Sequence, residues 1–264
     1  MSVLDGLRPR LIAVDLDGTL VPPSGDVPDG VAEAIERVQS EGAIVVAATG
    51  RSLSTTGYVA RNAGMHQFAV VSNGAMLVTV DPESVVAART FDPTDLLAEL
   101  TGLMPQATFA VERPDGLFLT TRHFVDRGVA LDVREVPYAA LIEQPAVRVI
   151  VRSEDHVAED IGTLVAHLDM HSIAFGMTDV AWLDVGIKGV TKATGLQVLC
   201  ARLGIDVADV LAIGDSMNDI EMLEWAGHSV AMAHARPDIR ALADHVTTGG
   251  PGQGVIEVLD ALYR

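Results

Sequence analysis

Leu11-Ile12-Ala13-Val14 runs directly into Asp15-Leu16-Asp17-Gly18-Thr19. A short aliphatic and β-branched run closed by polar residues and a glycine predicts a buried strand that ends in a turn. Along a continuing strand the carboxylates of Asp15 and Asp17 would alternate faces. At a strand-to-loop bend they can address two sides of one small site. That pairing suits a nucleophile and a proton donor acting on one phosphorus, with a metal balancing the charge. A solvated acidic turn would use the same residues, so the flanking pattern has to decide.

The pattern repeats downstream. Pro28 opens a helix through residue 41, with Val31, Ile35 and Val38 on one face, and Gly42 ends it. A strand at 43–48 empties into Thr49-Gly50-Arg51, a helix follows to Gly64, and a strand at 68–71 empties into Ser72-Asn73-Gly74. Alternating strands and helices predict an α/β core: a parallel sheet with helices on both faces, binding ligands at the carboxyl ends of its strands.

From Asp81 the rhythm changes. Residues 109–113 and 116–120 read as a hairpin around Pro114-Asp115, 147–151 as a strand, 157–168 as a helix, and 172–175 and 180–184 as strands. Short strands with few helices predict a separate α+β unit over 83–185, inserted between core segments 1–82 and 186–264. The first rhythm then resumes. Thr191 caps a helix to Leu203, a strand at 210–213 empties into Gly214-Asp215-Ser216-Met217-Asn218-Asp219, and a helix (219–226), a strand (229–232) and helices (237–243, 255–262) follow.

Composition narrows the chemistry. With 20% charged and 49% hydrophobic residues the chain is an ordinary globular protein. Its net charge of −18 opposes nucleic acid and anionic membranes as partners. An anionic small-molecule substrate would therefore need local positive charge or a divalent cation. Cys200 is the one cysteine, so a disulfide framework and a thiolate metal cage are both excluded. The first ten residues lack a signal-peptide core and no later run reaches spanning length, which predicts a soluble, cytoplasmic protein.

Four strand tips thus carry Asp15 and Asp17; Thr49 and Gly50; Asn73; and Asp215, Asn218 and Asp219. Hard oxygen ligands without paired histidine or cysteine favour Mg²⁺ over zinc. Thr49 and the Gly50 amide open a helix, where hydroxyl, N–H and dipole together welcome a phosphate oxygen. The chain has only two lysines, Lys188 and Lys192, both at the entry to the helix that leads to Asp215. The helix dipole disfavours a lysine there, so Lys192 reads as a cation placed for a phosphoryl oxygen and an aspartate. Lys188 reads as solvated. His167 and His171 sit four apart without an intervening glutamate and read as a helix end. The glycine-dense stretch 249–254 lacks a following Lys-Ser/Thr and reads as a turn. Trp182 and Trp225 read as core, with pocket lining the lesser reading for Trp182, and Cys200 as a buried inert thiol. Arg113, Arg122, Arg134 and Arg148 read as balance for an acidic surface ahead of contacts to an anionic substrate.

The motifs Asp15-Leu16-Asp17-Gly18-Thr19-Leu20, Thr49-Gly50-Arg51, Ser72-Asn73-Gly74-Ala75, Gly189-Val190-Thr191-Lys192 and Gly214-Asp215-Ser216-Met217-Asn218-Asp219 resemble the set of the haloacid dehalogenase superfamily. Their order, and the insert of about 100 residues between Ala75 and Gly189, are similar to the Cof-like branch of sugar-phosphate and related phosphatases. The resemblance implies a Rossmann-like core, a mobile α+β cap and Mg²⁺-dependent hydrolysis of phosphate monoesters. Residue by residue, it makes Asp15 the nucleophile that becomes an aspartyl-phosphate and Asp17 the acid and base. The Leu16 amide, Thr49, Gly50, Lys192 and Asn218 would grip the phosphoryl oxygens. Asp15, the Asp17 carbonyl and Asp215 would hold the metal, with Asp219 ordering its surroundings. Arg51 and Asn73 are open between substrate contact and structural support. A phosphomutase would use the same residues. A phospho-accepting signalling module also combines acids, threonine and lysine, but needs no insert and carries its acceptor on a middle strand. The leaving group and the oligomeric state are not encoded in these motifs.

Overall fold

The computed structural model describes residues 4–122, 133–177 and 180–263. Residues 1–3 of the opening stretch, and 123–132 and 178–179 of the expected insert, lie outside them. The chain divides into two units, residues 1–86 with 191–264, and residues 87–190.

The first unit contains β1 (Leu11–Val14), α1 (Val31–Ser40), β2 (Ile44–Ala48), α2 (Leu53–Asn62), β3 (Phe68–Val71), β4 (Met76–Val80) and β5 (Glu83–Ala88). The insert contains α3 (Thr94–Leu103), β6 (Thr108–Glu112), β7 (Phe118–Thr120), β8 (Val133–Glu135), α4 (Tyr138–Ile142), β9 (Arg148–Ser153), α5 (Ala158–Val165), β10 (His171–Met177) and β11 (Val180–Gly186). The first unit resumes with α6 (Lys192–Leu203), β12 (Val210–Gly214), α7 (Ile220–Trp225), β13 (His228–Ala231), α8 (Pro237–Leu242), β14 (His245–Val246) and α9 (Gln253–Ala261).

The core sheet has the order β14-β13-β12-β1-β2-β3-β4-β5, parallel from β14 through β3. β1 sits inside it with all four residues fully buried, which is why its sequence is aliphatic without alternation. Leu11 and Ala13 face a cluster with Ala193, Leu196 and Leu199 of α6, Met222 of α7 and Ile239 of α8. Crossovers between parallel strands are right-handed as a rule, which assigns α1 and α2 to the opposite face, and α1 packs against α9.

Two expectations need correction. The helix expected from Pro28 starts at Val31, because Gly30 lies in the left-handed region at φ 87° and interrupts the helical backbone. The strand–helix alternation also ends earlier than Asp81. After β3, residues 72–74 form a 3-10 turn and β4 runs back antiparallel to β3. Gly74 permits this: its φ is 94°, and a Cβ there would lie 1.8 Å from the Thr191 carbonyl oxygen.

The insert is a six-stranded sheet, β10-β11-β9-β6-β7-β8, antiparallel except at β7–β8. Phe109, Val111, Val149, Val151, Leu183 and Val185 form one core with α3, α4 and α5. The opposite face gathers Ala110, Phe118, Ile150 and Trp182. The sequence limits near 83 and 185 fall within β5 and β11.

Candidate active site

β1 lies between β2 and β12, and the chain winds away from it in both directions. Such a reversal opens a crevice beyond the carboxyl ends of the two strands. Asp15 follows β1 and Asp215 follows β12. Val14 is in register with Ile213, and the Asp15 N–H donates to the Ile213 carbonyl at 3.0 Å. The two acids therefore leave adjacent strands at one level.

Lys192 is the first residue of α6 and is fully buried. The helix start is fixed locally by reciprocal bonds between Thr191 and Thr194. It is also fixed by Gly195, where a Cβ would come 2.5 Å from Val70 Cγ1. Lys192 Nζ donates to Asp15 Oδ1 and to Asp219 Oδ1, each at 2.6 Å. Burial works against its charge, but Asp15 and Asp219 outweigh burial and hold the ammonium above its ordinary pKa. It is a permanent cation. Asp219 Oδ2 accepts the Asp215 and Ser216 amides at 3.0 and 2.9 Å. With both oxygens engaged, Asp219 shapes the loop that carries Asp215.

Asp15 differs. Its Oδ2 is buried without a hydrogen-bond partner. Burial pushes the Asp15 carboxyl well above the ordinary range, against the pull of Lys192, and Asp219 adds to the rise. Asp215 is also raised, by burial and then by Asp219. Its Oδ1 accepts the Thr19 hydroxyl at 2.9 Å, and His234 Nε2 stands 3.4 Å from its Oδ2. Oxygens of Asp15, Asp215 and Asp219 lie within 4.8 Å of one another. A Cβ on Gly18 would sit 2.6 Å from Asp215 Oδ2, so only glycine leaves that carboxylate its place. Crowded carboxylates and hard oxygen donors together fit a divalent cation. Asp15 and Asp215 have the capacity to ligate it directly, and Asp219 stands behind them.

The Asp17 side chain stays out of this cluster. Arg51 Nε and Nη2 donate to its Oδ2 and Oδ1 at 2.8 and 2.7 Å. The Thr49 hydroxyl accepts the Arg51 amide at 3.1 Å and is buried. Leu16 is fully buried, and its carbonyl accepts the Leu20 and Val21 amides at 2.9 Å each, closing the loop after β1. Asn218 Nδ2 donates to Asn73 Oδ1 at 3.0 Å, and the Ser216 hydroxyl donates to Asn218 Oδ1 at 2.8 Å. A Cβ on Gly50 would lie 3.0 Å from Asn73 Oδ1, so both amides face the Gly50 backbone. Ser72 and Asn73 hold left-handed backbone at φ 51° and 54°, strain of the kind that gathers at sites of function.

Other singled-out residues lie elsewhere. Lys188 is exposed and paired with Asp169. His167 lies past the end of α5, bonded to Glu99 at 2.6 Å, and His171 begins β10, so the helical spacing does not exist. Arg113 and Arg148 are not surface balance. Arg113 is buried and donates to the carbonyls of Ala140, Leu141, Gln144 and Pro145. Arg148 is buried between Glu112 and Asp184, at 2.6 Å from each. Trp182 is buried in the insert, Trp225 packs against the core cluster, and Cys200 is buried. Thr19 and His234 reach Asp215 without having been assigned a role. His234 follows β13, a further parallel strand, so the strand-tip rule that found the other residues points there too.

A family model described as haloacid dehalogenase-like hydrolase matches residues 12–259. The phosphoglycolate phosphatase of Methanothermobacter thermautotrophicus is 29% identical over 255 residues, spanning 95% of this chain and 97% of that protein. The 5-amino-6-(5-phospho-D-ribitylamino)uracil phosphatase of Bacillus subtilis is 26% identical, spanning 95% of this chain and 94% of its own. A haloacid dehalogenase-like hydrolase structure from B. subtilis superimposes with a TM-score of 0.76 at 23% identity, covering 95% of this chain and 99% of that one. That last likeness speaks for the fold.

Proposed function

This chain belongs to the haloacid dehalogenase-like hydrolases, and from that membership we propose that it is a phosphoric monoester hydrolase of small phosphorylated metabolites. The observation that carries the reading is Asp15 Oδ2, a buried oxygen without a partner on a carboxylate steadied by Lys192. An unbonded acceptor costs folding free energy, about 1–3 kcal/mol. A nucleophile must keep such an oxygen free.

In the first step Asp15 Oδ2 attacks phosphorus, the bond from phosphorus to the ester oxygen breaks, and Asp17 gives its proton to that oxygen. In the second, Asp17, now a carboxylate, takes a proton from water as the water oxygen attacks phosphorus and the Asp15–phosphorus bond breaks. Lys192, the Thr49 hydroxyl, Asn218 and the Leu16 and Gly50 amides meet the charge on the non-bridging oxygens. Asp15, Asp215 and the Asp17 carbonyl would hold Mg²⁺, which supplies further charge neutralisation when bound. The insert, read in the sequence as 83–185, serves as the cap that selects the leaving group. The relatives' names agree on the phosphoryl group and differ in what carries it.

Inorganic phosphate release, assayed with and without Mg²⁺ across phosphorylated sugars, nucleotides and vitamin-like cofactors, tests the reading. Turnover that persists in Asp15→Asn protein overturns it.

A further inference from the structure

Asp17 has to give a proton to one oxygen and later take one from another, so its carboxyl plane must be held in place. The structure shows what holds it. Both Asp17 oxygens accept from the two edges of one guanidinium, at 2.8 and 2.7 Å. Arg51 is itself fixed: its amide donates to Thr49 Oγ1 at 3.1 Å, its Nη1 reaches the Thr55 carbonyl at 3.5 Å, and its side chain is 16% exposed. It also lies between Gly50 and the start of α2, so one loop carries both the phosphoryl cradle and this fork.

A planar two-pronged pair sets orientation as well as charge, which a point-charge lysine does not do. We infer that Arg51 is the positioning residue of Asp17: the fork favours the carboxylate and sets its plane. Asp17 takes up the proton it gives to the departing oxygen on an oxygen released from one prong, then takes one from water in the second step. The inference rests on the phosphatase reading above. A bridge that merely clasps the loops after β1 and β2 would use the same atoms, so the test has to separate the two roles.

The separation lies in the leaving group. An alkyl oxygen departs only with a proton, whereas a nitrophenyl oxygen departs as a stable anion. Correct proton delivery is worth about 10²–10⁴-fold to the former and little to the latter. The experiment measures kcat/KM, which reports the first step, for glycolaldehyde-type alkyl phosphates and for p-nitrophenyl phosphate. It compares wild-type protein with Arg51→Lys, Arg51→Gln and Asp17→Asn. The expected result is a fall of about 10²-fold in the alkyl-to-aryl ratio for both Arg51 variants, with a larger fall for Asp17→Asn. Adding Arg51→Lys to Asp17→Asn should not lower the ratio further, since the two act as one unit. Both substrates are read in the same sample, so a partly unfolded variant leaves the ratio intact. Equal losses on both substrates overturn the inference in favour of a clasp. A rise in KM confined to anionic leaving groups overturns it in favour of direct substrate contact. Wild-type protein that releases phosphate from neither substrate overturns the phosphatase reading instead.

Discussion

Each unit buries one cation between two carboxylates. In the core, Lys192 joins Asp15 and Asp219; in the insert, Arg148 joins Glu112 and Asp184. Composition and distances nearly coincide, yet the two clusters differ in kind. Glu112, Arg148 and Asp184 lie within neighbouring strands, Glu112 directly opposite Arg148, so sheet register fixes them. The core cluster lies just past its strands, where loops can reach it. It also leaves Asp15 Oδ2 unbonded and crowds in a third acid, Asp215. Buried charge therefore does not mark a site by itself. A buried charge left incomplete does.

The largest expected effect falls on the incomplete cluster. Asp15→Asn should lower phosphate release by about 10⁴-fold or more, as removing a nucleophile does elsewhere. Stability should hold or rise, because burial already disfavours the charged form. Trp225 lies in the core and Trp182 in the insert, and they are the only tryptophans in the chain. Their emission in Trp182→Phe and Trp225→Phe backgrounds therefore reports the two units separately. A marked loss of core stability in Asp15→Asn would erase the contrast between the clusters.

The complete cluster should respond the other way. Arg148→Met takes a cation from buried Glu112 and partly buried Asp184 and should cost the insert about 3–5 kcal/mol in the Trp182 transition. Replacing all three charges, as Glu112→Met, Arg148→Leu and Asp184→Leu together, should restore most of that. If the single substitution is silent, the insert's cluster is not a structural unit.

Next in size is the metal. Taking metal-free protein to about 100 times the Mg²⁺ dissociation constant should stabilise the core by about 2.7 kcal/mol. The Trp182 transition should stay where it was, and Asp15→Asn should lose most of the gain. Equal stabilisation of both units would place the cation outside the incomplete cluster.

Much of this was legible in the chain because β1, β2, β3 and β12 are short apolar runs with polar ends, and a parallel sheet sends those ends to one edge. Lys192 stood out because the chain has only two lysines and one at a helix start runs against the dipole. What a sequence does not encode is pairing across the fold. Arg51 stood open between substrate and support until Asp17 was seen in its fork, 34 positions away. Thr19 and His234 meet Asp215 only through the β1–β12 and β12–β13 neighbourhood. β4 and β5 were missed because the backbone reverses at Gly74 on left-handed geometry, which follows from packing against Thr191 rather than from composition. The surface reading of Arg113 and Arg148 failed for a related reason: charge says nothing of burial when carbonyls or carboxylates are waiting on neighbouring elements.

A carboxylate outside both clusters gives the comparison its opposite sign. Glu257 in α9 accepts from the Thr248 amide and hydroxyl at 2.9 Å each and from the Gly249 amide at 3.1 Å. Burial pulls its pKa up, but these donors win and hold it below the ordinary glutamate value. Here donors surround the charge, whereas at Asp15 Lys192 serves one oxygen, the other accepts from nothing, and Asp219 opposes the charge. A folded-state pKa below the unfolded one stabilises the protein at pH values above the unfolded value, about 4.3. That contribution disappears as pH falls through the folded value. Because Glu257 is largely solvated, its bonds are screened, and Glu257→Gln should cost about 0.5–1 kcal/mol at pH 7. In the Trp225 transition the gap between wild type and variant should close as the medium is taken below about pH 4. A gap that is independent of pH would mean that shape holds the turn at 248–249, and that the carboxylate's charge contributes nothing there.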